Sequence, residues 1–117
     1  MIKTIKELKD FIIKALEDKK AENISVIDLG DHVPLAKYII IASGRSTRNV
    51  AAIGDFVSLE VKNNSNINVG IEGLGNAEWV LVDCGDIIVH IFHPEARNRF
   101  QLEDLWGKRN RSNSEPV

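Results

Sequence analysis

The feature that most constrains this chain is the segment 78–92, EWVLVDCGDIIVHIF, in which two alternating apolar runs are separated by Cys84-Gly85. Glycine supplies the positive φ that tight turns need, so the pattern predicts a β-hairpin with Cys84-Gly85 as its turn. Three pairs would then face each other across the strands: Asp83 with Asp86, Leu81 with Ile88, and Trp79 with His90.

The predicted hairpin has two faces of different chemistry, because successive side chains of a strand point to opposite sides. One face is aliphatic and comprises Val80, Val82, Ile87, Val89 and Ile91. The other, called the mixed face below, comprises Trp79, Leu81, Asp83, Asp86, Ile88, His90 and Phe92. We expect helices to cover the aliphatic face.

Two long amphipathic helices are predicted before the hairpin. Thr4 and Glu7 have the spacing of a capping box, and apolar residues follow at helical intervals as far as Leu16. Ser46 is the predicted N-cap of the second helix. The buried stripe of that helix is predicted to contain Val50, Ile53, Val57 and Val61.

Short β-branched runs at 24–29, 35–43 and 67–71 predict three further strands, and Pro94 suits the first turn of a short helix. The resulting order predicts a mixed α/β fold. The predicted fold is a single domain with a mixed five-stranded sheet, the two long helices on one side of the sheet, and short C-terminal helices.

The amino-acid composition limits the classes of protein to which this chain can belong. The chain has 117 residues, of which 44% are hydrophobic and 27% charged, as expected for one soluble globular domain. We assign the domain to residues 1–107, and the polar, basic tail 108–117 is predicted to be disordered. No apolar run is long enough to span a bilayer, so no membrane partner is expected. The single cysteine, Cys84, excludes an internal disulfide and fits a reducing, cytoplasmic location.

The formal net charge of -2 disfavours direct binding to nucleic acid, because such proteins normally carry a basic patch. The basic cluster of this chain is confined to the tail, at Lys108, Arg109 and Arg111. A basic protein would therefore suit the acidic surface of this chain better than nucleic acid would.

One turn has the character of an anion site. Gly44, Arg45, Ser46 and Arg48 lie between an apolar strand and a helix N-terminus, where backbone N–H groups and the helix dipole favour an anion. The complete phosphate-loop motif is absent, so an ordinary cap and turn is the preferred interpretation.

Catalytic and metal-binding patterns are weak. No Asp-x-Asp lies on a predicted strand, and Asp83 and Asp86 flank a turn instead of forming a magnesium site. Cys84 and His90 would lie roughly 20 Å apart along the returning strand, which is too far for a shared zinc ion. We therefore predict no metal, no cofactor and no catalytic residues.

The mixed face leaves two interpretations open. An aromatic and aliphatic centre with an acidic border is typical of a binding patch. Alternatively, these side chains are buried within the monomer, with Phe100 or Trp106 lying on them.

Several separated motifs resemble the ribosomal silencing factor family, also called the Iojap or RsfS family. They are YIIIASG at 38–44 with Ser46 and Arg48, WVLVD at 79–83, Gly85-Asp86, VHIF at 89–92, Arg97, Leu102-Glu103 and LWG at 105–107. The resemblance implies a fold related to nucleotidyltransferases but without their activity. It also implies binding to the large ribosomal subunit through ribosomal protein L14, which blocks joining of the small subunit and represses translation when nutrients are scarce. Family members are often homodimers when free.

Carried over position by position, the motif residues Trp79, Leu81, Asp83, Asp86 and His90 match the family pattern, and Ile88 lies beside them on the mixed face. Lys37 stands where the family usually has Asp, and Cys84 where an aromatic residue is common. Two rival functions remain: a small nucleotidyltransferase-like enzyme using the turn at 44–48, and a plain homodimerisation module.

Overall fold

The computed structural model describes residues 1–31 and 33–100. Its elements in chain order are α1 (Ile5–Asp18), β1 (Glu22–Asp28), β2 (Tyr38–Ser43), α2 (Thr47–Asn64), β3 (Gly70–Glu72), β4 (Trp79–Asp83), β5 (Ile87–Phe92) and α3 (Pro94–Phe100). This order confirms the prediction for the described part of the chain. Trp106 and the tail 108–117 lie outside the described residues, and so does the side chain of Phe100.

Within residues 1–31 and 33–100, the strands form a five-stranded sheet in the order β1-β2-β5-β4-β3. β2 and β5 are parallel, whereas the β1–β2, β4–β5 and β3–β4 pairs are antiparallel. Parallel neighbours need a long crossover connection, which α2, β3 and β4 provide here. The prediction of a mixed α/β fold with a mixed five-stranded sheet is confirmed.

Helices α1 and α2 cover the same face of the sheet. Their inward-facing residues, including Leu8, Ile12, Val50 and Ile53, form one core with the aliphatic side chains of the strands. Val80, Val82, Ile87, Val89 and Ile91 all belong to this core, which confirms that the aliphatic face packs against the helices. Helix α2 approaches the sheet closely at Gly54, where an added Cβ would lie 2.6 Å from Val80 Cγ1.

The starts of both long helices are fixed by the predicted caps. Thr4 Oγ1 accepts from the Glu7 N–H at 3.0 Å, while Glu7 Oε1 accepts from the N–H of Thr4 at 3.1 Å. Ser46 Oγ accepts from the Asn49 N–H at 3.1 Å. These bonds satisfy N–H groups that have no partner inside a helix, so each helix begins where the sequence indicates.

A smaller core lies on the opposite face of the sheet, beneath α3 and the segment that links β1 to β2. It contains Ile27, Leu29, Ala36, Ile39, Ile41, Ile88, Phe92 and Ala96. The Arg97 guanidinium in α3 donates to Ser43 Oγ at the end of β2, at 2.8 Å. The face away from the long helices is therefore partly covered by the protein itself.

The predicted register of the hairpin is wrong by two residues. Trp79 pairs with Phe92, Leu81 with His90 and Asp83 with Ile88. The turn is Gly85-Asp86, closed by a 2.9 Å bond from the Cys84 N–H to the Ile87 carbonyl. Gly85 has a φ of +82°, and Asp83 Oδ1 accepts its N–H at 2.9 Å, so the glycine takes the first turn position instead of the second.

Strand β2 begins later than predicted. Its first residue is Tyr38, and Leu35 lies in a bend and is 63% exposed. Among the described residues, no helix combines the length and apolarity that a membrane crossing requires.

Candidate partner-binding face

The structure places five of the six predicted partner-binding residues on one side of the β4–β5 ladder. Trp79, Leu81 and Asp83 alternate along β4, and Ile88 and His90 alternate along β5. A register error of two residues preserves this arrangement, because side-chain direction repeats every second residue. Their role in binding a partner stays a prediction.

Asp86 does not join the mixed face, and its predicted pairing with Asp83 is corrected. It is an exposed turn residue, and its carbonyl accepts the N–H of Lys37 at 2.7 Å. The register change that moves the turn onto Gly85-Asp86 removes Asp86 from the ladder altogether.

A hydrogen bond joins the two most distinctive side chains of the mixed face. Trp79 Nε1–H donates to His90 Nδ1 at 2.9 Å. A nitrogen that accepts a hydrogen bond carries no proton, so the imidazole is neutral with its proton on Nε2. Burial of the ring lowers the pKa of His90 to about 4, because the charged form loses its hydration.

Three rings pack together around this bond. The Trp79 and Phe92 rings lie 5.1 Å apart at an interplanar angle of 30°, and the His90 and Phe92 rings lie 6.1 Å apart at 11°. Stacked aromatic pairs contribute about 0.5–1.5 kcal/mol beyond their buried area. The indole is thus held in one orientation by its neighbours.

The mixed face is graded from a buried floor to an exposed rim. His90 and Ile88 are each 8% exposed, Trp79 and Leu81 are half-buried, and Asp83 is exposed. His90 and Ile88 are therefore buried within the monomer, whereas binding of a partner at the exposed side chains stays a prediction. The rim and the outer part of the indole lie at the surface, and the imidazole lies beneath them.

Lys37 contributes to the electrostatics around the hairpin turn. The Lys37 ammonium donates to the Asp31 carboxylate, and this bond raises the pKa of Lys37, with smaller contributions from the nearby charges of Asp86 and Asp28. Lys37 therefore offsets part of the acidity around Asp86. Asp83, whose Oδ1 is bound by the Gly85 N–H, lies on the mixed face itself.

The turn at 44–48 has the geometry of a helix cap. The Gly44 N–H donates to the Phe92 carbonyl at 3.0 Å, and the Arg45 N–H donates to Asn49 Oδ1 at 2.9 Å. Two amides that an anion would need are thus bound within the protein. The Arg45 and Arg48 side chains are exposed. The sequence pattern alone did not identify Asn49 as a capping residue. Its position three residues after Ser46 is nevertheless where a capping side chain is expected.

Potential metal ligands are dispersed. In the part of the chain that the structure describes, no three His, Cys, Asp or Glu side chains are grouped so that they could hold a metal ion. Cys84 is fully buried in the core beneath the long helices, whereas His90 lies on the opposite face of the sheet. Burial, together with the charge of Asp83, raises the pKa of Cys84 to about 12.

Comparisons with known proteins agree with this architecture. A family model described as ribosomal silencing factor during starvation matches residues 2–117. The ribosomal silencing factor of Zymomonas mobilis is 42% identical over 82% of this chain and 72% of its own length. A crystal structure of a Chromobacterium violaceum protein has a TM-score of 0.86 and 37% identity, covering 90% of this chain and 88% of that chain.

A more distant relative is the mouse protein named mitochondrial assembly of ribosomal large subunit protein 1. The two sequences are 32% identical over a region that covers 83% of this chain and 44% of the mouse protein. The family match extends over nearly the whole sequence, and the structural match extends over most of it. The chain belongs to the ribosomal silencing factor family.

Proposed function

We propose that this protein is a cytoplasmic translation repressor that binds the large ribosomal subunit through ribosomal protein L14 and sterically blocks the small subunit from joining. Membership of the ribosomal silencing factor family supports the general role. The observation that carries the site assignment is the half-buried indole of Trp79, held by His90 and Phe92.

The held indole is suited to act as an anchor. Binding a partner costs less side-chain entropy when the anchor already has its bound orientation. Aromatic residues at the centre of a patch commonly contribute most of the binding energy. Trp79 and Leu81 offer apolar surface next to the exposed carboxylate of Asp83, which is the composition of such a patch with a charged border.

Acidic side chains next to this patch favour a basic protein as the partner. Asp83 borders it and Asp86 extends from the adjacent turn, where both carboxylates can pair with Lys or Arg. The formal net charge of -2 favours ribosomal protein over ribosomal RNA as the surface that is bound.

Steric occlusion requires no catalytic group. The buried titratable side chains are His90, on the mixed face, and Cys84, on the opposite side of the sheet, and both are suited to structural roles. A His90 with a pKa near 4 is a hydrogen-bond acceptor at neutral pH, and a Cys84 with a pKa near 12 remains a thiol. Neither has the protonation behaviour of a general base or nucleophile tuned to neutral pH. These properties support a non-enzymatic function.

Sedimentation through a sucrose gradient tests the proposal. The protein should travel with purified large subunits and be absent from joined ribosomes, and large subunits loaded with it should join small subunits less. Asp83→Lys should reduce binding, whereas Asp55→Lys, an equal charge change on an exposed position of α2, should not. Equal binding to joined ribosomes would overturn steric occlusion. A variant ending at residue 107 tests whether the proposed domain suffices without the tail.

A second copy of the chain could occupy the same patch, and we include a homodimer of the free protein in the proposal. The half-buried side chains of Trp79 and Leu81 supply the apolar surface that a self-complementary contact needs. Light scattering should then show that Trp79→Ala shifts the protein towards monomer. If only this shift occurs and ribosome binding persists, the patch is a dimerisation surface alone.

A further inference from the structure

A groove runs along the outer side of the helix pair, away from the mixed face. The start of α1 meets the end of α2, where the Ile2 N–H donates to the Asn64 carbonyl at 2.9 Å. Cavities of about 420 Å³ and 190 Å³ follow the groove, and both are lined by Phe11 and Lys14. The apolar lining residues Ile2, Phe11 and Ala15 are buried or half-buried, so they form its floor.

The rim of the groove is acidic. Four carboxylates line it, from Glu7, Asp10, Asp18 and Glu60. The pKa of Glu7 is lowered because its carboxylate accepts the backbone N–H groups of Lys3 and Thr4, which favours the charged form. Lys14 is paired with Asp18 at 3.3 Å. Among the described residues, the carboxylates of Asp10 and Glu60 have no hydrogen-bond or ion-pair partner, so their charges are available.

We propose that this groove binds a basic amphipathic helix of a partner protein. From Glu7 to Asp18 the groove follows α1 for roughly 16 Å, the length of about three helical turns at 1.5 Å per residue. A helix of that length places apolar residues at every third or fourth position onto such a floor. Its flanking Lys or Arg side chains then meet the carboxylates of Asp10 and Glu60. The same rim repels nucleic acid, whose phosphates carry negative charge.

The groove and the mixed face can be occupied at the same time. α1 and α2 pack on the face of the sheet that carries Val80 and Val89, whereas Trp79 and His90 lie on the reverse face. A protein bound through the mixed face therefore leaves the groove open to a second molecule. This inference goes beyond the proposed function and does not depend on it.

Titration of the ¹⁵N-labelled protein with a synthetic helical peptide tests the groove. The probe is an amphipathic Leu/Lys peptide of about 14 residues, long enough for the roughly three turns. The matched control is a peptide of the same pattern with Glu in place of Lys. Amide resonances of Asp10, Phe11, Lys14 and Glu60 should shift with the Lys peptide, while the indole N–H resonance of Trp79 should not.

Paired charge reversals separate the groove from general attraction between the acidic protein and a basic peptide. Asp10→Lys with Glu60→Lys should weaken binding of the Lys peptide by about tenfold or more. Asp55→Lys with Glu72→Lys makes an equal charge change at exposed positions that do not line the groove, and should leave the affinity nearly unchanged.

Three results with the peptides would overturn the inference. They are equal weakening by both pairs of reversals, equal binding of the Lys and Glu peptides, or no saturable binding of the Lys peptide. Binding of an RNA oligonucleotide with shifts at the same four amides would likewise replace a basic helix with a polyanion as the ligand. The results with the two peptides do not bear on sedimentation with large subunits, so failure here is distinguishable from failure of the proposed function.

Discussion

The indole N–H of Trp79 is bound by His90 Nδ1 at 2.9 Å, although Leu81, and not Trp79, is opposite His90 in the ladder. The bond therefore runs diagonally between the two strands. It exists only while His90 is neutral, because an imidazolium has no lone pair to accept it. The orientation of the proposed anchor is thus linked to the protonation state of a buried imidazole.

Acidification should destabilise the protein through His90. Its pKa is lowered from 6.5 to about 4 by burial, so as pH falls the unfolded chain takes up this proton first. The contribution of His90 to stability is complete above its unfolded pKa, decreases from about pH 6.5 to about pH 4, and totals about 3 kcal/mol. Urea unfolding between pH 7.5 and pH 4 measures this loss.

His90→Gln is the control for that measurement, because its amide oxygen can accept from the indole but does not titrate. The variant should lose less stability than the parent over the same pH range. An identical pH dependence would show that groups other than His90 cause the acid sensitivity.

Removing the indole should weaken binding to the large subunit. Trp79→Ala is expected to cost roughly 2 kcal/mol or more, which is about a 30-fold loss of affinity. Sedimentation at several protein concentrations measures the loss, and circular dichroism checks that the variant is folded. Trp79→Phe retains an aromatic ring next to Phe92 and should bind better than the alanine variant. Unchanged binding of folded Trp79→Ala would remove Trp79 from the interface.

Gly54→Ala should destabilise the protein even though alanine favours helices. The new Cβ would lie 2.6 Å from Val80 Cγ1, and both residues are buried. Overpacking costs about 1–3 kcal/mol and the gain in helix propensity is about 1 kcal/mol, so a net loss of up to about 2 kcal/mol is expected.

A double-mutant cycle locates the cause of that loss. In a Val80→Ala background, Gly54→Ala should be neutral or stabilising, because the clashing methyl group is gone. Gly75→Ala, in the turn before β4, is a control for adding a methyl group in open space, since an added Cβ there meets nothing within 4 Å. Equal destabilisation by Gly54→Ala in both backgrounds would argue against contact with Val80.

Cys84 should be almost inert in the folded protein. Burial and the nearby Asp83 raise its pKa to about 12, so the thiolate fraction at pH 8 falls by on the order of 10³ relative to an ordinary cysteine. Its reaction with a disulfide reagent should be slow in buffer and rapid in denaturing urea. A fast reaction in buffer would mean that the β4–β5 turn opens readily.

The sequence was most informative where periodicity decides the result. Val80 and Val82 could be assigned to the helix side because side-chain direction alternates along a strand. Thr4 and Ser46 could be assigned as caps because their spacing to the first helical turn is characteristic. Both signals are local and depend on few residues.

The hairpin turn could not be fixed in the same way. Moving the turn from Cys84-Gly85 to Gly85-Asp86 leaves every ladder side chain on the same face, so alternation cannot distinguish the two registers. The choice depends on the Asp83 carboxylate binding the Gly85 N–H, a contact that the residue pattern does not encode uniquely.

The sequence around His90 also does not predict that its side chain is buried. Its side chain lies beside Phe92, in a region covered by α3 and by the link between β1 and β2. Ala36 and Ala96 belong to those covering segments and lie outside β5, and Ala36 is distant from His90 in the sequence. Periodicity within one strand carries no information on such long-range packing.

The parallel pairing of β2 with β5 has a consequence for synthesis of the protein. It joins Tyr38 to Ile87 and Ser43 to Phe92, so the centre of the sheet is assembled from segments 49 positions apart in the sequence. Closing so long a loop slows folding, because the entropy of closure is lost before the contacts form. During its own translation, a nascent chain can complete this sheet only after Phe92 has left the exit tunnel.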